Sequence, residues 1–168
     1  MKISMKLILI PILVLLACSS SFSQVNPSRI IDGKQFHENA LLFEKDKGKH
    51  LLNLEGFIKM LKSSDPKVII DVRAKPSFVE KHIKGAINIT MEELTDSRLK
   101  EVAPDKNTPI IIYCDNTFFP TRRVALTTYA YPTLMNYGYQ NVFDIEPLWK
   151  NSSQVPNELE PYWESGKK

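Results

Sequence analysis

One run of residues constrains this chain more than any other. Ile110-Ile111-Ile112-Tyr113 continues without a polar break into Cys114. A β-branched run with no alternation reads as a strand covered on both faces, the pattern of a parallel sheet. In open α/β sheets, ligands sit beyond the carboxyl ends of the strands, and Cys114 falls at such an end. The residues that follow, from Asp115 through Asn116, Thr117, Phe118, Phe119, Pro120 and Thr121 to Arg122 and Arg123, form a polar and aromatic loop carrying two cations. A thiol in that place is either a small buried residue or a reactive group.

The rest of the chain alternates between helical and strand patterns around this run. Residues 24–50 read as a polar, lysine-rich N-terminal extension with a helix over residues 35–44 and a solvated loop over residues 45–49. Leu54, Phe57, Ile58 and Leu61 keep helical spacing, with Asn53 as cap and Asp65-Pro66 as stop. Val68-Ile69-Ile70 is a short buried strand entering Asp71-Val72-Arg73. Pro76 suits the first turn of a helix that turns Phe78 and Val79 inward and ends by Gly85. Residues 86–89 are extended. Thr90-Met91-Glu92-Glu93 reads as a capping box opening a helix to about Glu101. A turn over residues 104–109 leads into the central run. Beyond the cysteine loop, Pro120-Thr121 opens a helix, Pro132 kinks or restarts it, and Gly138 stops it. Val142-Phe143-Asp144-Ile145 is the last strand. The tail, residues 151–168, reads as loosely packed and anchored by Trp149 and Trp163. This alternation predicts an α/β fold in three layers, a central mainly parallel sheet with helices on both faces.

The first residues read as an export signal. Lys2 and Lys6 precede an apolar stretch from Leu7 to Ala17, too short to span a bilayer comfortably, and small residues follow. Ser21-Phe22-Ser23 before Gln24 suits ordinary cleavage, giving a signal over residues 1–23 and a soluble exported protein, periplasmic or secreted. Leu15-Leu16-Ala17-Cys18 resembles a lipoprotein box, with the signal ending at residue 17 and a membrane tether through Cys18. Cleavage before Gln24 removes two lysines and no acids, which brings the formal charge of +3 down to +1. With no basic stripe and no aromatic-basic interleaving, the sequence offers no nucleic-acid surface. It also leaves Cys114 as the only thiol of the folded domain, so an internal disulfide is excluded.

Three further pieces line up with the central run. They are Val68-Ile69-Ile70-Asp71-Val72-Arg73, then Phe78-Val79-Glu80-Lys81-His82-Ile83-Lys84-Gly85-Ala86-Ile87-Asn88, and Tyr137-Gly138-Tyr139-Gln140-Asn141-Val142. Together they resemble an exported bacterial rhodanese-like (sulfurtransferase) domain, here over residues 51–150. The resemblance implies that Cys114 accepts a sulfane sulfur as a persulfide and passes it to a nucleophile. It implies no cofactor, a small sulfur-containing anion as donor and a thiol as acceptor. It also implies a loop whose backbone N–H groups cradle the sulfur, followed by a helix whose dipole helps to lower the thiol pKa.

The loop departs from the family pattern. No glycine follows Cys114 until Gly138, and the segment between them is several residues longer than usual. The arginine-serine pair that usually opens the next helix falls at Leu126-Thr127, and Glu146-Pro147 stands where a glycine pair is common. The candidate substrate-binding residues are Asp115, Asn116, Thr117, Arg122 and Arg123. Ordinary turn chemistry accounts equally for Asp115 and Asn116, and a solvated surface for the arginines. Asp71, Arg73 and His82 read as structural residues near the site, and the histidines show no metal-ligand spacing. The alternative to a sulfurtransferase is a weakly active or inactive rhodanese-homology module that binds a partner or a small anion. A cysteine phosphatase would need an arginine six residues after the cysteine, where Pro120 stands.

Overall fold

The computed structural model describes residues 32–151 and 155–166; the export segment and Cys18 lie outside the described residues. In chain order the elements are α1 (Gly33–His50), β1 (Leu51–Leu52), α2 (Leu54–Lys62), β2 (Val68–Asp71), α3 (Lys75–Glu80), β3 (His82–Ile83) and β4 (Ile87–Asn88). Then come α4 (Asp96–Val102), β5 (Ile110–Tyr113), α5 (Asp115–Phe118), α6 (Thr127–Asn136), β6 (Val142–Ile145) and β7 (Trp163–Glu164).

The branched residues of β2, β5 and β6 build the centre of a five-stranded sheet in the order β1-β6-β5-β2-β4, with every pair parallel. All four residues of β5 are fully buried, because both faces of the sheet are covered. Ile110 and Ile112 pack toward Phe43 of α1, Leu99 of α4, and Ala130, Tyr131 and Leu134 of α6. Ile111 and Tyr113 pack on the other face with Phe57 of α2, Ile83, Phe118 and Leu159. Each such isoleucine contributes about 1.5–3 kcal/mol on leaving water.

Several local readings hold for identifiable reasons. Asn53 caps α2, accepting from the Gly56 N–H at 2.8 Å. Pro76 sits in the first turn of α3, whose Phe78 and Val79 are half-buried. Gly138 ends α6 at φ +89°, where a side chain would be strained. The Gly138 N–H donates to the Met135 carbonyl and the Tyr139 N–H to that of Leu134, which closes the last turn.

Others are corrected. α1 does not stop at Glu44 but continues through the lysine run. Lys47 with Glu44 (3.6 Å) and Lys49 with Asp46 (3.2 Å) pair at helical spacing on its solvated face. Phe43 on Tyr131, with ring centroids 4.0 Å apart, holds the helix on α6. The box at Thr90 closes a turn instead of a helix, because the Glu93 N–H is taken by the Thr90 carbonyl. The helix starts later, at Asp96, with Thr95 as cap. No helix opens at Pro120. A single turn, α5, directly follows the cysteine, and residues 119–126 are an irregular connection. α6 runs through Pro132; the carbonyl that this residue cannot bond belongs to exposed Thr128, within reach of water. The tail packs closely. Leu159 is fully buried, β7 pairs antiparallel with β3, and Gly166 lies so close to Val79 that a Cβ there would meet its backbone.

Candidate active site

β5 delivers Cys114 to the carboxyl edge of the sheet, and α5 begins at the next residue. The side chain lies among the apolar residues facing α1, α4 and α6, and only 1% of the residue is exposed. Its backbone N–H donates to Oγ1 of Thr117 at 3.2 Å, which ties the cysteine to the first turn of α5. Burial pushes the Cys114 thiol up, and the backbone N–H groups of Thr127, Asn116 and Leu126, aimed at the sulfur, oppose that push. The nearby carboxylate of Asp144 adds to it. Three backbone dipoles therefore converge on the sulfur without a glycine in the loop, in an arrangement that stabilises an anion. Two of them come from Leu126 and Thr127, so these positions supply backbone N–H groups at the head of α6 while lacking the family's arginine and serine.

The loop is fixed by its own polar groups. Asn116 Nδ2 donates to the Arg122 carbonyl at 2.7 Å, and Asn116 Oδ1 accepts from the Thr121 hydroxyl at 3.1 Å. The Asn116 carbonyl accepts from the Trp149 indole N–H at 2.8 Å. Thr117 is buried. Asp115 faces the other way, with Oδ1 3.8 Å from Nη1 of Arg73. Arg122 and Arg123 are exposed, and neither lines the cavities described below. The structure thus sets Asn116 and Thr117 beside the thiol and the two arginines on the exposed connection that follows.

Asp71 and Arg73 make a buried ion pair beneath this edge, with Nη2 2.7 Å from Oδ2. Arg73 also donates to the Lys81 carbonyl at 2.6 Å. The Arg73 guanidinium is raised in pKa: burial pulls it down, but the Asp71 hydrogen bond and charge outweigh that. His82 is buried, stacks on Phe78, and hydrogen-bonds the Phe78 carbonyl at 2.8 Å with Nδ1. Its Nε2 lies 3.3 Å from Glu164. Among the described residues no group of three or more His, Cys, Asp or Glu side chains is arranged to hold a metal ion.

Two cavities flank α5. One, of about 260 Å³, opens beside the cradle between α1, α6 and β6, lined by Glu44, Lys47, Asn116, Thr117, Thr127 and Asp144 among others. The other, of about 320 Å³, lies on the far side of α5, with Arg73, Lys81, Asp115, Phe119 and Trp163 on its wall. Sequence reasoning missed Lys47 and Asp144, and it placed Trp149 as an anchor of the tail and not against the cysteine loop. Asp144 carried a usable signal, an acid inside an otherwise apolar strand. Lys47 and Trp149 carried none beyond their chemistry.

These features define a class, a parallel α/β domain that presents one cysteine in a ring of backbone N–H groups at the carboxyl edge of its central strand. The chain belongs to the rhodanese-like family, whose domain matches residues 53–150. It is similar to the thiosulfate sulfurtransferase PspE of Escherichia coli (strain K12), 39% identical over 46 residues, which cover 27% of this chain and 43% of that protein. The match thus spans less than half the length of that relative. Among solved structures, the BH2092 protein of Bacillus halodurans superposes with a TM-score of 0.52 at 21% identity, covering 73% of this chain and 88% of that one. A thiosulfate sulfurtransferase of Pseudomonas aeruginosa does so with a TM-score of 0.52 at 22% identity, covering 80% of this chain but only 23% of that one. These structural likenesses carry the fold alone. α1, with Lys47 and Glu44 on the cavity wall, precedes residues 53–150, the span of the family match.

Proposed function

We propose that this chain is an exported sulfurtransferase that carries a sulfane sulfur as a persulfide on Cys114. The observation that carries this reading is the cradle, three backbone N–H groups converging on the one free thiol among the described residues. The Cys114 thiolate attacks the outer sulfur of a small donor anion such as thiosulfate. A bond forms between the two sulfurs, the donor's sulfur–sulfur bond breaks, and sulfite leaves with the bonding pair. A thiol or cyanide then attacks the outer sulfur and releases the Cys114 thiolate. This is covalent nucleophilic catalysis in two steps, and no part of it needs a cofactor. The cradle stabilises the anionic sulfur before and after transfer. Turnover of thiosulfate with cyanide, abolished in Cys114→Ala, tests the reading.

The second reading is a binding module. It is favoured by the near-complete burial of Cys114 and by the exposure of Arg122 and Arg123, neither of which lines the cavity. A module of this kind binds a small anion or a partner without forming a sulfur adduct, and Cys114→Ala leaves that binding intact. Export rests on the N-terminal segment, and the protein's cellular fraction tests it. Recovery with membranes, lost in Cys18→Ala, identifies a lipid tether; a mature chain starting at Gln24 identifies a soluble protein.

A further inference from the structure

The cavity of about 320 Å³ on the far side of α5 has no part in the sulfur chemistry, and residues beyond the family match help to build it. Val155 and Trp163, both after residue 150, form one side. Phe118 and Phe119 at the end of α5 form another, and Phe119 is 53% exposed. The Trp163 ring packs edge-on against Phe118 with centroids 4.8 Å apart. Its indole N–H is buried and has no hydrogen-bond partner among the described residues. A hollow of this size with aromatic walls and a few polar groups has the make-up of a small-molecule site. Its rings offer a flat apolar group both cover from water and favourable ring contacts.

Arg73 supplies the polar side of the hollow, and only 8% of it is exposed. Its Nε donates to both Asp71 oxygens at 3.0 Å. Its Nη2 donates to Asp71 Oδ2 at 2.7 Å and to the Lys81 carbonyl at 2.6 Å. Nη1 makes no hydrogen bond among the described residues. It lies toward Asp115, whose Oδ1 is 3.8 Å away, beyond hydrogen-bond range. Both residues line the cavity. The unbonded edge of a nearly buried guanidinium is a strong donor to a carboxylate. The Asp115 carboxylate beside it is an acceptor for an ammonium group.

We propose that this cavity binds a free α-amino acid with an aromatic side chain. Its carboxylate sits on Nη1 of Arg73, its ammonium on Asp115, and its ring against Phe119 and Trp163. Charge decides the class. The wall carries two cations, Arg73 and Lys81, and two acids, Glu80 and Asp115. Lys81 is already engaged, by Glu160 at 3.3 Å and by the Trp163 ring, whose centroid is 5.1 Å from Nζ. A lone anion on Arg73 meets the like charge of Asp115, and a lone cation on Asp115 leaves Nη1 unmatched. A zwitterion answers both groups and adds no net charge to a balanced wall. The binding does not depend on sulfur transfer. Asp115 follows Cys114 directly, so the site adjoins the turn that bears the thiol, while Cys114 is not part of its wall.

The test is isothermal titration calorimetry of the full chain with L-phenylalanine, L-tyrosine and L-tryptophan. Hydrocinnamate, which lacks the ammonium, and phenethylamine, which lacks the carboxylate, serve as analogues. At least one of the amino acids binds saturably, one molecule per chain. Hydrocinnamate and phenethylamine bind roughly tenfold more weakly or worse, because each loses one charge-assisted contact. Asp115→Asn weakens the amino acid by roughly tenfold and narrows its advantage over hydrocinnamate. Phe119→Ser, at an exposed position, weakens the amino acid and both analogues together. No saturable binding of any of the three amino acids overturns the proposal, and so does binding no tighter than that of hydrocinnamate. Amino-acid binding that both substitutions leave unchanged overturns the placement in this cavity.

Discussion

Asp71→Asn is the substitution whose cost follows most directly from the geometry. Asp71 is completely buried, and its two oxygens receive the Arg73 N–H at 2.9 Å, Nε at 3.0 Å and Nη2 at 2.7 Å. An asparagine keeps the volume and an acceptor for the backbone N–H but removes the charge. Arg73, 8% exposed, is then left with the Lys81 carbonyl at 2.6 Å and Asp115 at 3.8 Å. Removing one partner of a buried pair costs roughly 3–5 kcal/mol. The residual contact with Asp115 and the retained backbone bond put this case near 3. At a urea slope of about 2 kcal/mol per molar, a loss of that size lowers the unfolding midpoint by roughly 1.5 M. Urea titration followed by tryptophan fluorescence reads it, since Trp149 contacts the cysteine loop and Trp163 packs on Phe118. Asp71→Asn combined with Arg73→Met is more stable than Asp71→Asn alone, because the stranded guanidinium is gone. A single variant within about 1 kcal/mol of wild type, or a double variant less stable than the single one, refutes the reasoning.

Three other outcomes follow. Tyr139→Phe removes the donor to the buried Ala103 carbonyl, a 2.7 Å bond, and lowers stability by about 1–3 kcal/mol in the same titration. Gly138→Ala forces a side chain onto φ +89° and costs about 1–2 kcal/mol, with loss of helix signal kept small because only the last turn is strained. Asp144→Asn changes how stability depends on pH. The folded Asp144 sits at about 7, above the ordinary 3.8, so the native state holds the extra proton between those values. Its contribution is fully present below the ordinary value and is lost as pH rises toward 7. Wild type should therefore lose stability relative to D144N between pH 4 and 8, by a few kcal/mol (roughly 2–4 on this shift); chemical denaturation of both proteins across that range measures it, and a constant difference contradicts it.

The fold was legible where burial writes itself into composition. The branched runs of β2 and β5 have no polar alternation because both faces are covered, and Gly138 marks a helix end that its backbone conformation requires. Legibility failed where tertiary partners decide. The lysine run of α1 is helical because Phe43 seats the helix on α6, and residue spacing alone does not separate that from a loop. β1 is two residues long and exists through its pairing with β6. The tail reads as polar, yet Leu159 and Trp163 close the second core face. In the site, Cys114 stood out as a thiol at the end of an apolar run. The cradle did not, because any residue carries a backbone N–H and only the folded loop shows which ones face the sulfur. The missing glycine and the two arginines drew attention to side chains, whereas the N–H groups of Asn116, Leu126 and Thr127 supply the environment.

The central claim is that Cys114 holds a sulfur atom. Its most direct test is the intact mass of the full chain after incubation with thiosulfate and removal of excess reagent. The account predicts a gain of one sulfur atom on Cys114, reversed by cyanide and absent in Cys114→Ala. A mass unchanged by thiosulfate and by other sulfane-sulfur donors, in protein whose Cys114 remains a free thiol, contradicts it.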